Sequence, residues 1–146
     1  MNSSSKVEDK LVPKSLREVQ SFMDSERLAA FATISSNNEP HVVPVFFTYD
    51  DGKVYIQTDR NSVKVRNLTR NNSVAVAVYR GEEAVIVRGK ALVVENNKEF
   101  FKRTQDHINK YQLKLDKNGR DSLGLPLFNR KVRCVIEVTS KRILFW

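Results

Sequence analysis

The sequence predicts a mainly β fold, an antiparallel barrel flanked by two or three helices. Six or seven short apolar segments alternate with tight turns, such as the Asp-Asp-Gly turn at residues 50–52. These segments follow one another closely, as hairpin strands do, without the long crossovers that a parallel sheet requires. Two other segments, beginning near residues 16 and 97, carry apolar side chains at helical spacing instead.

Length and composition predict one domain. A chain of 146 residues is long enough for a single core, which we expect to span residues 13–146, after a polar and mobile tail over residues 1–12. No apolar run approaches the roughly 20 residues of a membrane-spanning helix. Residues 1–10 have no signal-peptide core, so we expect a cytoplasmic protein with no membrane partner.

The single cysteine, Cys134, excludes an intrachain disulfide. It alternates with branched residues in the segment 132–136, which predicts a buried thiol in a strand rather than a nucleophile.

The first elements of the domain are a helix and two strands. Ser15 and Glu18 form a Ser-x-x-Glu capping box, followed by apolar residues that we expect on one buried helical face: Leu16, Val19, Phe22 and Met23. Residues 28–34 form a strand whose alanines indicate that another surface packs close to it.

Residues 41–49 are apolar on both faces, which predicts burial on both sides, in a covered barrel wall or a subunit interface. Pro44 lies within this segment and cannot donate a ladder hydrogen bond, so it indicates an edge strand or a bulge.

The segment 58–68 is the most informative part of the chain. It follows a predicted strand at 54–58 and leads into a short basic helix that ends at Asn71-Asn72. Free amide groups and a partial positive charge at a helix start suit a phosphate. The side chains around this turn reinforce that chemistry: hydroxyls at Thr58 and Ser62, and cations at Arg60, Lys64 and Arg66. The alternative is an ordinary capped helix with solvated basic residues. The segment has neither a Rossmann fingerprint nor a P-loop pattern.

The second half of the chain contains further strands and one long helix. Residues 73–79 alternate as a strand does, and residues 84–95 form a long strand in which Gly89 indicates a bulge or the close approach of another backbone. Asn96 or Asn97 caps a predicted helix with an apolar face formed by Phe100, Phe101, Thr104, Ile108 and Tyr111. Residues 114–131 show no clear pattern, and strands are predicted at 132–139 and 142–146.

The sequence contains few of the residue groupings that form common catalytic and metal sites. The only histidines are His41 and His107, with no Cys/His cluster for a metal and no paired carboxylates within the strands. This favours a protein that positions a cofactor, and the cofactor then supplies the chemistry. Residues 98–133 hold ten Lys/Arg against four Asp/Glu, but their aromatic residues have core spacing, so we do not expect a nucleic acid as partner.

Three features in this order resemble the pyridoxamine 5′-phosphate oxidase-like family of FMN-binding split-barrel proteins. The hairpin Phe31 to Phe46, with Pro40 and Pro44, resembles the family's first hairpin. Thr58 with Ser62-x-Lys64-x-x-Asn67-Leu68 resembles its phosphate turn and helix, and Val85-x-Val87-x-Gly89-x-Ala91 its long barrel strand. The resemblance covers about Leu16 to Glu95.

The resemblance implies a six-stranded split barrel that forms a homodimer, with FMN in clefts between the subunits. Lys64 and Ser62 then meet the cofactor phosphate, together with Thr58 and Arg60. The backbone of Val43, Pro44 and Val45 lies along the flavin ring or the ribityl chain.

The function implied is that of an FMN-binding oxidoreductase with an unknown small-molecule substrate. The alternatives are a reductase that uses a deazaflavin coenzyme and a flavin-binding or sensing protein without turnover. The Arg/His substrate motif of the true oxidases is missing, since no histidine follows His107, and this argues against vitamin B6 oxidation. No catalytic acid or base can be named from the sequence.

Overall fold

The computed structural model describes residues 15–146, so the predicted tail at 1–12 lies outside the described residues. The described part contains three helices and seven strands. In chain order they are α1 (Leu16–Ser25), β1 (Ala29–Ile34), β2 (Pro40–Val45), β3 (Thr48–Asp50), β4 (Lys53–Asp59), α2 (Val63–Arg70), β5 (Ser73–Arg80), β6 (Glu83–Val93), α3 (Asn97–Tyr111) and β7 (Arg133–Phe145).

All seven strands form one antiparallel sheet in the order β2-β1-β5-β6-β7-β4-β3. The predicted fold class, mainly β with flanking helices, is confirmed, and the curled sheet fits a split barrel. The number of strands implied by the resemblance is wrong, because the described chain has seven rather than six.

The stretch 41–49, predicted as one strand, is divided at Phe46-Phe47 into β2 and β3. These two strands lie at opposite ends of the sheet. The backbone at the break is satisfied from α3: the Phe47 N–H donates to the Tyr111 hydroxyl at 3.0 Å, and the Lys110 ammonium donates to the Phe47 carbonyl at 3.0 Å. Hydrogen bonds with α3 therefore replace strand-to-strand hydrogen bonds at Phe47.

Strand β7 is longer than predicted and joins the two halves of the sheet. The predicted strands at 132–139 and 142–146 form one strand that pairs with β4 on one side and β6 on the other. The register shifts between Arg88 and Gly89. A Cβ at Gly89 would lie 2.0 Å from the Thr139 carbonyl oxygen. The predicted bulge and the predicted close approach are both confirmed.

The helices cover parts of the sheet and complete the core. The capping box of α1 is present, but Leu16 is 81% exposed and does not belong to the buried face. Asn96 caps α3, whose Phe100 packs with Tyr55, Val94 and Val135 in a small second core. Phe101, predicted on the same buried face, is 44% exposed. Cys134 is fully buried, as predicted.

The outer face of β2, β1 and β5 stays partly open in a single chain. Ala30 and Ala32 are half-buried there, while Val42 and Tyr79 are each 64% exposed. The burial on both sides that was predicted for residues 41–49 is therefore not seen in β2, whose outer face is exposed at Val42. Pro44 lies in β2, an edge strand, as its missing N–H indicated.

Among residues 15–146, no helix has the length and apolar character needed to cross a membrane.

Candidate functional site

The turn between β4 and α2 is held by hydrogen bonds from three of its backbone N–H groups. The Asp59 carboxylate accepts the Asn61 N–H at 2.8 Å, and the Asp59 carbonyl accepts the Ser62 N–H at 3.2 Å. The Arg60 N–H donates to the Val132 carbonyl at 2.9 Å, which fixes the turn against the segment that precedes β7. The start of α2 is therefore a rigid platform.

Ser62 occupies the N-cap position of α2, but its side chain makes no capping hydrogen bond. Its hydroxyl is buried and has no hydrogen-bond partner among residues 15–146. The first turn of α2 also contains no acidic residue. A buried hydroxyl without a partner has a free-energy cost, so this position retains an unused capacity for hydrogen bonding at the positive end of a helix.

Lys64, the second residue of α2, is half-buried. Burial is the main reason why its pKa is lowered, and the charge of Arg133 lowers it further. Within the part of the chain that the structure describes, its ammonium has no hydrogen-bond or ion-pair partner. A lysine in this position has a partly desolvated charge that an anion can neutralise.

Thr58 and Arg60 complete the group of residues predicted around the turn. Thr58 is buried and lies opposite Cys134 in the β4–β7 ladder. The Arg60 Nε donates to the Arg130 carbonyl at 2.8 Å. Four of the predicted site residues, Thr58, Arg60, Ser62 and Lys64, are thus brought together.

Arg133 is a cation next to this turn that sequence reasoning missed. It pairs with Asp59 in the β4–β7 register. Its Nε and Nη2 donate to the Gln57 amide oxygen at 3.1 and 2.7 Å, so its direct hydrogen-bond partner is neutral, while the charges of Asp59 and Asp121 act on it from farther away. Nothing local in the sequence marks Arg133, because its place beside the turn depends on the pairing of β7 with β4.

The other three predicted residues lie elsewhere in the single chain. Val43, Pro44 and Val45 belong to the edge strand β2, and the first two line an open groove of about 680 Å³ that Arg27 and Tyr79 also border. The residues of the β4–α2 turn do not line this groove. One copy therefore presents a basic turn and an apolar groove as two separate surfaces.

The turn fits a phosphate group by its chemistry. The free ammonium of Lys64, the buried hydroxyl of Ser62 and the amides at the start of α2 are all donors to an anion. Residues 15–146 contain no group of three or more His, Cys, Asp or Glu side chains that could hold a metal ion.

Comparisons with known proteins define the class. Residues 15–145 match the family model described as pyridoxamine 5′-phosphate oxidase. The chain therefore belongs to the pyridoxamine 5′-phosphate oxidase family, as its motifs indicated. No curated protein matches this sequence.

Solved structures share the fold at low identity. A conserved hypothetical protein of Mycobacterium tuberculosis superposes with a TM-score of 0.77 at 21% identity, over 94% of this chain and 87% of that one. An F420 reductase gives 0.68 at 19%, over 90% and 98%. A FAD-binding protein of Mesorhizobium loti gives 0.62 at 19%, over 90% and 94%.

Proposed function

We propose that this protein is an FMN-binding oxidoreductase and that the turn between β4 and α2 holds the cofactor phosphate. The observation that carries the proposal is a buried Ser62 hydroxyl without a hydrogen-bond partner next to a half-buried Lys64 that forms no ion pair among residues 15–146, where only the more distant charge of Asp59 favours its charged form alongside Cys134. Membership of a family with flavin-binding relatives supports the same assignment.

Each residue of the turn has a role in this proposal. Lys64 supplies a charge-assisted hydrogen bond to the phosphate, and Ser62 donates its hydroxyl proton. Thr58 and Arg60 bind the remaining oxygens, while the amides of α2 add the field of the helix. When bound, the flavin supplies the hydride chemistry.

The flavin ring is proposed to lie along the backbone of Val43, Pro44 and Val45 in the groove on β2. In one chain this groove is separate from the basic turn, so the complete cleft requires a second copy. Small residues such as Ala30 and Ala32 allow another backbone to approach the outer face, and the exposed Val42 and Tyr79 give it apolar surface to bury. We therefore propose a homodimer with the cofactor between the subunits.

Two alternative functions would use the same phosphate site. A deazaflavin coenzyme also carries a phosphate, and the likeness to an F420 reductase favours it. A flavin-binding protein without turnover is the other alternative. An absorbance spectrum of the purified protein distinguishes flavin from deazaflavin, and reduction of the bound chromophore by NADH or NADPH in a stopped-flow instrument distinguishes an enzyme from a sensor.

The experiment that tests the phosphate site replaces Lys64. Lys64→Ala removes one charge-assisted hydrogen bond of roughly 1.5–3 kcal/mol, so FMN binding should weaken about ten- to a hundredfold. Riboflavin has no phosphate and should bind the wild type and the variant almost equally. Isothermal titration calorimetry with both ligands measures the two affinities.

Lys98→Ala is the matched control, because Lys98 is also the second residue of its helix but is exposed. Its FMN affinity should equal that of the wild type. Equal losses of FMN and riboflavin binding in Lys64→Ala would show general damage to the site, and an unchanged FMN affinity would remove the phosphate from this turn.

The dimer has its own test. Sedimentation of the FMN-loaded protein should give the mass of two chains at micromolar concentration. A stable monomer with bound cofactor would contradict both the homodimer and the intersubunit cleft.

A further inference from the structure

Helix α2 is short, and its apolar contacts with the core are not directional. It has eight residues, and its Val65 and Leu68 side chains are buried in the main core. Apolar burial favours this attachment but is insensitive to small rotations of a helix about its own axis. The direction in which α2 presents its polar side chains therefore depends on a different kind of contact.

That contact is a buried hydrogen bond between α2 and β1. The Asn67 Nδ2 donates to the Thr33 hydroxyl oxygen at 3.0 Å, across 34 positions of the chain. Both side chains are buried, so water does not compete for this bond. Strand β1 is paired on both sides, with β2 and with β5, and is a rigid anchor. The other side-chain hydrogen bonds that α2 donates within the described chain stay within residues 61–70.

Asn67 lies three positions after Lys64 on the same helix. Side chains at this spacing are neighbours on the surface of an α-helix, so a rotation of α2 that moves Asn67 also moves Lys64. The Asn67 Oδ1 accepts the Arg70 Nη2 at 3.3 Å, which holds the amide in this orientation. A buried hydrogen-bonded pair adds little net stability over an apolar pair of the same shape. The main effect of the Asn67–Thr33 bond is therefore to set the orientation of α2.

We propose that Asn67 is a positioning residue for the phosphate, because its hydrogen bond to Thr33 holds α2 in the orientation that aims the Lys64 ammonium at the ligand. This proposal rests on the proposed function, which assigns the phosphate to this turn. Asn67 does not contact the phosphate in this arrangement and acts through Lys64.

The test measures the contribution of the phosphate, defined as the ratio of the riboflavin and FMN dissociation constants. Calorimetry gives this ratio for the wild type, Asn67→Leu and Thr33→Val, and each variant removes the hydrogen bond with a side chain of similar shape. Both variants should lower the ratio about three- to tenfold, because a misaligned ammonium loses part of its charge-assisted hydrogen bond. Thr33→Ser keeps the hydroxyl and should retain the wild-type ratio.

Two controls separate orientation from general damage. Asn96→Ala removes the cap of α3 and leaves α2 intact, so its ratio should equal that of the wild type. In a Lys64→Ala background, Asn67→Leu should not lower the ratio further, because a residue that acts through Lys64 then has no ammonium to position.

Three results would overturn the role of Asn67: a wild-type ratio in both Asn67→Leu and Thr33→Val, a loss in Thr33→Ser as large as in Thr33→Val, or a further loss in the Lys64→Ala background. An unchanged ratio in Lys64→Ala itself would instead refute the phosphate site, and the positioning role with it.

A protein that binds no flavin refutes the proposed function separately, and the titration of Lys64 then judges Asn67. Burial lowers the pKa of Lys64 in the folded chain. If Asn67 holds α2 in place, NMR of isotope-labelled lysine side chains should show this pKa closer to its ordinary value in Asn67→Leu. A pKa that stays equally low in Asn67→Leu would overturn the role of Asn67 without any flavin.

Discussion

The starts of α2 and α3 have the same types of residue at the first positions but differ in hydrogen bonding and charge. Each helix has a polar N-cap residue and a lysine at its second position, Lys64 in α2 and Lys98 in α3. In α3 the Asn96 side chain accepts the Glu99 N–H at 3.0 Å, and Glu99 places a negative charge near the helix end. In α2 the Ser62 side chain caps nothing, no acidic residue follows, and the lysine is half-buried.

This difference in hydrogen bonding indicates that the start of α3 contributes to stability, whereas the start of α2 has donors left for a ligand. The polar groups at the start of α3 are satisfied within the chain, and buried side chains farther along this helix, such as Arg103, contact the rest of the fold. The start of α2 leaves the Ser62 hydroxyl without a hydrogen-bond partner, and Lys64 forms no ion pair, among the described residues. Changes in α3 should therefore alter stability, and changes at the start of α2 should alter ligand affinity.

The largest effect is expected from His107, a buried residue of α3. Burial, with a smaller effect of the Arg133 charge, lowers its pKa from 6.5 to about 4. The unfolded chain therefore binds a proton that the folded chain does not between these values, and stability falls as the pH drops from 6.5 towards 4. The loss should reach about 3 kcal/mol.

Urea unfolding of the wild type and of His107→Gln from pH 7 to pH 4 measures this contribution. Carboxylates titrate in both proteins, so the contribution of His107 is the difference between the two profiles. Parallel profiles would mean that His107 is protonated equally well in the folded state.

A smaller loss is expected from Arg103→Met. Arg103 donates to Asp50 at 2.8 Å and to Glu99 at 2.6 Å, and it lies over the Tyr55 ring at 3.9 Å. Methionine keeps much of the apolar stem but loses these contacts, and the free energy of unfolding should fall by about 2 kcal/mol. FMN affinity should not change, and a tenfold loss of it would contradict the division between the two helices.

The smallest effects are expected from removing the side chains at the two N-cap positions, Asn96 and Ser62. Asn96→Ala loses a real cap and should cost about 1 kcal/mol of stability, with FMN affinity intact. Ser62→Ala loses no cap hydrogen bond and removes a buried hydroxyl without a partner, so stability should stay the same or rise slightly, while FMN binding weakens by about three- to tenfold. Thermal melts and calorimetry on both variants give the two pairs of numbers. A stability loss in Ser62→Ala equal to that in Asn96→Ala would make Ser62 an ordinary cap.

Much of this arrangement could be predicted because it depends on short-range patterns. The strand before residue 58, the turn and the helix that ends before Asn71 all rest on local propensity and capping, and the structure has them in those places. The bulge and close approach at Gly89 could be predicted because a glycine inside a strand has few other structural causes. The cap at Asn96 could be predicted because asparagine is a preferred N-cap residue and stands directly before the apolar pattern of a helix.

What could not be predicted depends on contacts between distant parts of the chain. The break at Phe46-Phe47 exists because Tyr111 and Lys110 bind that backbone from α3. Arg133 lies beside the turn because β7 pairs with β4. The continuous apolar pattern of residues 41–49 does not indicate the break, and the sequence around Arg133 does not indicate which strand β7 pairs with. Val43 to Val45 were assigned to the cofactor through the family resemblance, and their place in the cleft stays a prediction.

The position of β7 in the sheet also governs the order of events during synthesis. Gln57 and Arg133 are 76 residues apart, so the ribosome has to add that stretch before β4 meets its partner. Until then the β3–β4 hairpin presents an unpaired edge containing Val54 and Ile56, which is a hazard for association with other nascent chains. The turn between β4 and α2 can form early, but its contact with the Val132 carbonyl is made only when the segment before β7 arrives. The cofactor binding that we propose for this turn would then belong to the final stage of folding.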